Sequence, residues 1–430
     1  MGILMAGAAR REITPPLGKP LAGNPVDRPG NAVRVDSPLW VRVLTLREGS
    51  RRVVLIGLDL WAVDHLLAEE IRAVILTRHG VPGDQVMVWA SHTHGGPAGL
   101  LRTVPALDGP VDEELLAALR LAVLEAVDEA IEGEVEARMG VGKAEVHGIG
   151  TNRQDPDGPM NPTATVLRVD RADGKPLAAL LHYSCQPTLG NFELAYTADF
   201  PGYALQALEA AVPGVVGLFA NGASGDVSTR YTRRGLGDGE ARRIGGLLGS
   251  AAVQIYRQTE PAPEGRLRVA LSQVLVRVRR FPPPEELRQA EEAAARRAAK
   301  GRAAALDPAS QRVLDVRLVG VRMARLLAEY VQDEIIPVEI QAVSFGGLTL
   351  VGLPGDPFTE IGDAIRKGVP GCTVVVGYAN GYVGHLIPPW RWNEEEFETR
   401  IALVEPKEVM RLQEVAIETG TAAATGTART

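Results

Sequence analysis

The sequence predicts an α/β fold: a mixed, largely parallel sheet flanked by helices, with its functional groups on loops at the strand ends. Three observations point to this. Short apolar runs alternate with segments of helical period along most of the chain. The apolar runs 53–60 and 86–90 flank an amphipathic stretch at 64–77, which makes a βαβ unit with parallel strands. Polar, glycine-rich clusters recur directly after apolar runs, where ligands gather in such sheets.

Taken in order, the opening Ile13-Thr14-Pro15-Pro16-Leu17-Gly18 and Leu21-Ala22-Gly23 read as loop, because proline supplies no N–H to a helix or a central strand. Residues 41–46 and 53–60 read as paired strands around the turn Glu48-Gly49-Ser50. Asp59, at the end of the second, is equally suited to anchor a loop or to serve a site. Leu66, Leu67, Ile71, Val74 and Ile75 set the helical period of 64–77. Strand 86–90 follows, then helix 112–131 with Asp112 as its cap. Strands at 135–141 and 165–169 enclose a polar loop at 151–159, and Asp173-Gly174 turns the chain into strand 177–183. A helix to about 211, a buried strand at 215–220, a helix at 238–258 and an alternating strand at 267–278 come next. Two charged, alanine-rich helical stretches, 285–300 and 307–330, form a helical excursion at about 283–331, solvated on one face. A hairpin at 338–351 around Gly346-Gly347, a helix through 365 and a strand at 373–377 complete a single catalytic domain over 1–415. Residues 416–430, rich in Ala, Thr and Gly, are expected to be a disordered tail.

The 45% hydrophobic content of the 430 residues supports an ordinary core, and 47 glycines with 30 prolines imply many loops. A formal charge of -7 leaves no basic surplus for phosphate backbones, so nucleic acid is not an expected partner. Two cysteines, Cys185 and Cys372, exclude a disulfide framework but leave a single bridge open. No run has the length of a membrane span, and the first residues lack a basic leader with an apolar h-region. The expectation is a soluble, cytoplasmic protein.

Chemistry is concentrated after the strands. Strand 86–90 runs into Ser91-His92-Thr93-His94-Gly95-Gly96-Pro97, holding two of the seven histidines. If the strand continues through His-x-His, period two puts both imidazoles on one side. Neutral imidazole is a common metal ligand and general base. A metal needs further donors, for which Asp356, Tyr382 and His385 are candidates. The metallo-β-lactamase pattern is rejected, because glycines stand where its Asp-His pair belongs. Ser224 in Gly222-Ala223-Ser224-Gly225-Asp226 lacks the last glycine of a hydrolase elbow. Ser228 is the serine suited to contact substrate, or to act as a nucleophile beside a histidine.

These stretches together resemble the neutral/alkaline non-lysosomal ceramidase family in its catalytic domain. The matching segments are ITPPLGKPLAG from Ile13, SHTHGGPAG, Asn152-Arg153, ADFPGYA from Ala198, NGASGDVS, LPGDPFTEIG and ANGYVG, in order from Ile13 to Gly384. The resemblance implies a zinc-dependent amidase that splits the N-acyl bond of ceramide, in sphingolipid metabolism. It implies His92 as a zinc ligand with His94 close by, Arg153 as a site arginine, Ser228 as the GDVS serine, Tyr382 on the metal side, and Asp226 supporting the turn. Zinc there acidifies water and polarises the amide carbonyl, while His94, Arg153 or Tyr382 steadies the oxyanion. Two departures stand out. Gln186 occupies the place of the family's second zinc histidine, and Asp356 that of its glutamate ligand. Gln is a poor zinc ligand beside imidazole, and His182 lies too far along its strand to replace it. His385 stands where relatives carry a second tyrosine and is the candidate to reach the metal. With no leader and no C-terminal immunoglobulin-like domain expected, a smaller amide or ester suits the site as well as a bilayer lipid. Three functions follow: a ceramidase-like amide hydrolase, a Ser228-dependent hydrolase of a small ester or amide, or a degenerate relative that only binds ligand.

Overall fold

The computed structural model describes residues 3–23, 30–263, 266–331 and 333–427. Among these residues the main strands are β1 (Leu4–Glu12), β2 (Trp40–Glu48), β3 (Arg51–Leu58), β4 (Val86–Ala90), β5 (Val135–Glu145), β6 (Thr163–Arg171), β7 (Pro176–Tyr183) and β8 (Val216–Asn221), followed by β9 (Arg268–Arg277), β10 (Ile335–Phe345), β11 (Leu348–Gly352) and β12 (Cys372–Val376). The principal helices are α1 (His65–His79), α2 (Glu113–Glu132), α3 (Asp199–Ala211), α4 (Gly237–Gln258), α5 (Pro284–Ala303), α6 (Pro308–Tyr330), α7 (Thr359–Gly368), α8 (Phe397–Ile401) and α9 (Pro406–Thr425).

The first eight strands form one sheet in the order β8-β7-β6-β5-β1-β2-β3-β4, and the last four a second sheet in the order β9-β10-β11-β12. Strand alternation explains how the sheets stack. Along β2, Leu44 and Leu46 join a core shared with Val343, Phe345, Leu350 and Val374 of the second sheet. Val41 and Val43 point the other way, into a core with α1 and α2. The two sheets therefore face each other, with helices over their outer faces: α1 and α2 on one part of the large sheet, α3 and α4 on another, α9 on the small one. Trp89, fully buried between the sheets, donates its indole N–H to the Phe219 carbonyl at 2.7 Å and so ties β4 to β8.

The mixed sheet is present, but its pairing is mostly antiparallel. The parallel pairs in the two sheets are β3–β4, β7–β8 and β11–β12. The reason lies at the start of the chain. Residues 4–12, where no strand was expected, form β1, which enters the middle of the sheet antiparallel to both β2 and β5. Residues 416–425, expected to be disordered, are the second half of α9. Leu412, Ala416, Thr419, Gly420 and Ala423 form its buried face, and a Cβ at Gly420 would sit 2.6 Å from Val369. Small residues that looked like a low-complexity tail are what let this helix lie close. Gly426, at φ 75°, ends it by donating its N–H to Ala422. Residues 428–430 lie outside the described residues. Cys185 and Cys372 are both free thiols, so no bridge forms between them.

The three parallel pairs position the site, because they aim their carboxyl ends at one region. The Asn221 side chain donates to Ser91 O at 3.2 Å, Gly377 N to Asn221 O at 2.9 Å, and Tyr378 N to Gly355 O at 2.9 Å. The loops after β4, β8, β11 and β12 are thereby laced together by one side-chain and two main-chain bonds. The excursion helices α5 and α6 pack on each other, and α6 reaches across to α8.

Candidate active site

The His-x-His pair is not an extension of β4. The strand ends at Ala90, and His92 has a left-handed backbone at φ 68°, a strained state for a residue with a Cβ. The rings meet edge to face with centroids 5.0 Å apart. Both still line one cavity, brought there by a turn rather than by strand alternation. Bridges from Leu21 to Pro97 and from Gly95 to Thr197 hold that turn in place.

Each imidazole is oriented by a second partner. His92 Nδ1 lies 2.7 Å from the Trp61 carbonyl, which fixes the proton on Nδ1 and leaves the Nε2 lone pair facing inward. Its ring stacks on Tyr378 at 4.0 Å between centroids. Burial, and then the neighbouring His94, hold the His92 pKa well below the usual imidazole value, so it is neutral. His94 Nδ1 lies 2.9 Å from Asn191 Oδ1. His385 is buried and pushed down to about 3 by burial and by Arg153, and is neutral as well.

Asp356 sits at the centre of this arrangement. Its Oδ2 is 3.2 Å from His385 Nδ1 and 3.9 Å from His92 Nε2, and it accepts a hydrogen bond from the Gln186 amide. Its Oδ1 accepts from the Tyr378 hydroxyl at 2.5 Å. Burial raises the Asp356 carboxyl to about 7, against the lowering effect of Tyr378 and Arg153. Behind it stands a chain of buried polar groups. Arg153 donates to Gln186 Oε1 at 2.5 Å, and its Nε pairs with Glu398 at 2.6 Å.

Zinc, which the sequence resemblance implied, can be tested against these donors. Among the described residues no three His, Cys, Asp or Glu side chains form a ready metal-binding group. The donor chemistry nonetheless fits. His385 Nδ1 is a buried nitrogen without a hydrogen bond of acceptable geometry, and it faces the same carboxylate oxygen as the His92 lone pair. Two imidazole nitrogens and one carboxylate are an ordinary zinc donor set. Gln186 does not contribute as it stands, since its N–H group points at Asp356 and its oxygen at Arg153.

The other expected residues divide. Ser228, Arg153 and Tyr382 line the cavity with His92, His94 and His385. Ser228 Oγ accepts from Arg230 N at 3.3 Å, and among the described residues no hydrogen bond links it to a histidine. Asp226 does not line the cavity. Its oxygens are taken by Asn152 Nδ2 at 2.7 Å and by Thr359 N and Oγ1 at 2.8 and 2.9 Å, so it braces the loop that carries Ser228 and is not a reacting group. Asp59 is likewise an anchor, accepting from Trp40 N. Ser224 is fully buried against the Tyr378 hydroxyl at 3.0 Å. His182 bonds the Val375 carbonyl at 2.8 Å and borders a different cavity, so it does not stand in for the missing histidine.

Four contributions were not foreseen. Trp61 and Asn191 orient the histidines, Tyr378 holds Asp356, and Glu398 holds Arg153. Tyr378 stood in view, at the head of the run that contains Tyr382. Glu398 comes from α8, in a charged stretch with nothing to mark it. The excursion forms part of the wall of the cavity, which is about 100 Å³: Arg312, Val316, Val319 and Met323 of α6 line it with Phe397 and Ile401 of α8.

No protein-family model and no curated protein matches the chain. Solved structures do. Neutral ceramidase from Pseudomonas aeruginosa aligns with 99% of this chain and 75% of its own, at 18% identity and a TM-score of 0.76. A ceramidase complexed with C2 aligns with 100% of this chain and 76% of its own, at 17% identity and a TM-score of 0.78. Among the described residues, no helix is long and apolar enough to cross a membrane. From end to end, the chain has the fold of a neutral ceramidase.

Proposed function

We propose that this protein is a ceramidase-like hydrolase of amide bonds, acting on an N-acyl substrate in the cavity beneath α6. The observation that carries the reading is the convergence of His92, His94, His385, Arg153, Ser228 and Tyr382 on one small cavity at the ends of parallel strand pairs. Resemblance in sequence motifs and likeness in fold support it independently.

Amide hydrolysis needs an activated water, a polarised carbonyl and a proton for the departing nitrogen. The residues that would hold zinc are His92, Asp356 and His385, with Tyr382 beside them. Zinc supplies Lewis acidity toward a carbonyl oxygen and makes water more acidic. The protein's own groups do the rest. The Trp61 carbonyl keeps the His92 Nε2 lone pair directed inward, and Asn191 does the same for His94. The neutral state of His92 keeps that lone pair available as a metal donor. Arg153, held rigid by Glu398 and Gln186, presents positive charge where an oxyanion develops. Ser228, bridged to Gln186 and lining the same cavity, would position the substrate.

The decisive experiment pairs metal analysis of the purified protein with a chelator-sensitive assay on short and long N-acyl substrates. Stoichiometric zinc and chelator-sensitive turnover support this reading. Turnover without metal, abolished in Ser228→Ala, replaces it with the serine mechanism on a small ester or amide. Absence of both metal and turnover leaves a ligand-binding relative.

A further inference from the structure

We infer that a second cavity, walled by β5, β6, β7, β12 and α7, binds a neutral polyhydroxylated ligand of monosaccharide size. It shares no lining residue with the cavity proposed for hydrolysis, and every residue on its wall lies inside the described stretches.

The cavity marks a change of chemistry along one face of the large sheet. Side chains alternate along a strand, so Met139 and Lys143 share a face of β5, Leu167 and Thr165 a face of β6, and Leu180 and His182 a face of β7. Met139, Leu167 and Leu180 join the core between the sheets. Further along the same strands, Lys143, Thr165 and His182 form one cross-strand row, and this row lines the cavity. Thr165 and His182 are nonetheless buried. The small sheet ends at β12, whose Thr373, Val374 and Val375 form another wall. Gly362, Asp363 and Arg366 add one face of α7. An inner sheet face that had only to pack would continue apolar; here it turns polar while Thr165 and His182 stay buried.

The polar groups define what fits. His182 Nε2 lies 2.8 Å from the Val375 carbonyl, which fixes the proton on Nε2 and leaves Nδ1 as an acceptor. Burial pushes its pKa down to about 4, so the ring is neutral. His182 Nδ1 and Thr373 Oγ1 are buried without a hydrogen-bond partner among the described residues, a costly state that a ligand's hydroxyl relieves. Thr163, Thr165 and Ser184 add further hydroxyls to the wall. The charged side chains on the wall cancel, Lys143 and Arg366 against Glu145 and Asp363, and Arg366 pairs with Asp363 at 2.8 Å. An ion entering would lose hydration without a net countercharge, and an acyl chain would leave the polar groups unpaired. A hydroxyl both donates and accepts, so a polyol meets the imidazole acceptor and the threonines alike, with its C–H faces against Ala144, Ala223 and Val374. The volume of about 470 Å³ is that of a small-molecule site.

The test titrates the full chain by calorimetry with D-glucose, D-galactose and myo-inositol, and with glucose 6-phosphate and cyclohexanol as charged and apolar matches. At least one neutral polyol should bind one per chain with a Kd of about 1 mM or tighter, and both matches should bind tenfold or more weakly. Thr373→Val keeps the side chain's shape and removes its hydroxyl, and should weaken the polyol about tenfold; His182→Phe should do the same. Thermal unfolding reports whether each variant is folded, and if His182→Phe is not, Thr373→Val decides alone. Weakening in either folded variant upholds the site. Binding unaltered in every folded variant lies elsewhere and overturns it. So does a charged or apolar match that binds as well as the polyols, and so does the absence of polyol binding, which leaves the cavity to water.

Discussion

The Arg153–Glu398 pair gives the sharpest test of the site's construction. Their side chains are 9% and 6% exposed, and Nε lies 2.6 Å from Oε1. Burial alone raises the Glu398 carboxyl, but Arg153 and His385 outweigh it, so Glu398 is ionised near neutral pH. Removing one partner of such a pair leaves the other charged and desolvated, which costs about 3–5 kcal/mol. The Glu398→Ala variant should therefore unfold in urea with a stability lowered by about that amount. Over 430 residues, an unfolding entropy near 2.1 cal/mol/K per residue makes the expected drop in Tm about 4 °C. The double variant Arg153→Met, Glu398→Ala removes both charges and should recover much of the loss, giving a coupling of about 2 kcal/mol or more in a double-mutant cycle. A Glu398→Ala variant within about 0.5 kcal/mol of the parent, the range of ordinary surface substitutions, would refute the reasoning. The pair would then be open to water in solution, and Arg153 would not be rigidly held.

Other consequences are checked more briefly. Replacing His385 with Ala should abolish stoichiometric zinc, read by elemental analysis of the folded protein; unchanged metal content removes His385 from the donor set. Gly420→Leu should destabilise the protein by about 1–3 kcal/mol through overpacking of α9 against Val369 and Val351, and no change in thermal stability would mean that 416–425 does not dock. Asp108 is raised by burial to about 7, although Leu100 and Leu101 donate to it. Its folded pKa lies above its unfolded value, so its stabilising effect is complete below about pH 4 and is lost as pH rises through 7. Asp108→Asn should flatten that part of the stability profile by an amount on the order of 4 kcal/mol, and an unaltered slope between pH 4 and 7 contradicts the assignment.

Legibility tracked how local the cause was. The βαβ unit was readable because the helical period of 64–77 and the apolar runs beside it are local facts, and the parallel pairing of β3 and β4 follows from them. The strand-end loops were readable because glycine, proline and histidine announce themselves within a few residues. What escaped depended on distant partners. β1, with Gly7 and a run of alanines, has too little bulk to look like a strand, yet a Cβ at Gly7 would overlap the Ala130 carbonyl, so the small residues let α2 lie against the sheet. The orientation of His92 rests on the Trp61 carbonyl, which carries no side-chain signature at all. Glu398 becomes a site residue only because α8 brings it to Arg153, 245 positions earlier in the chain.

The excursion changes meaning on the same grounds. From sequence, 283–331 was a charged helical pair solvated on one face. In the structure α6 walls the cavity, and its stripe from Arg312 to Met323 lines it together with the histidines. On the proposed reading, the strand ends hold the reacting groups, while the excursion shapes what those groups meet. This division separates two kinds of substitution. Changes at His92, Asp356 or His385 should alter the chemistry for every substrate. Changes at Arg312, Val316 or Met323 should alter which substrate is chosen. On that reading a chain that keeps a ceramidase fold at 18% identity would differ in the N-acyl compound it takes through the residues that one helix presents to the cavity.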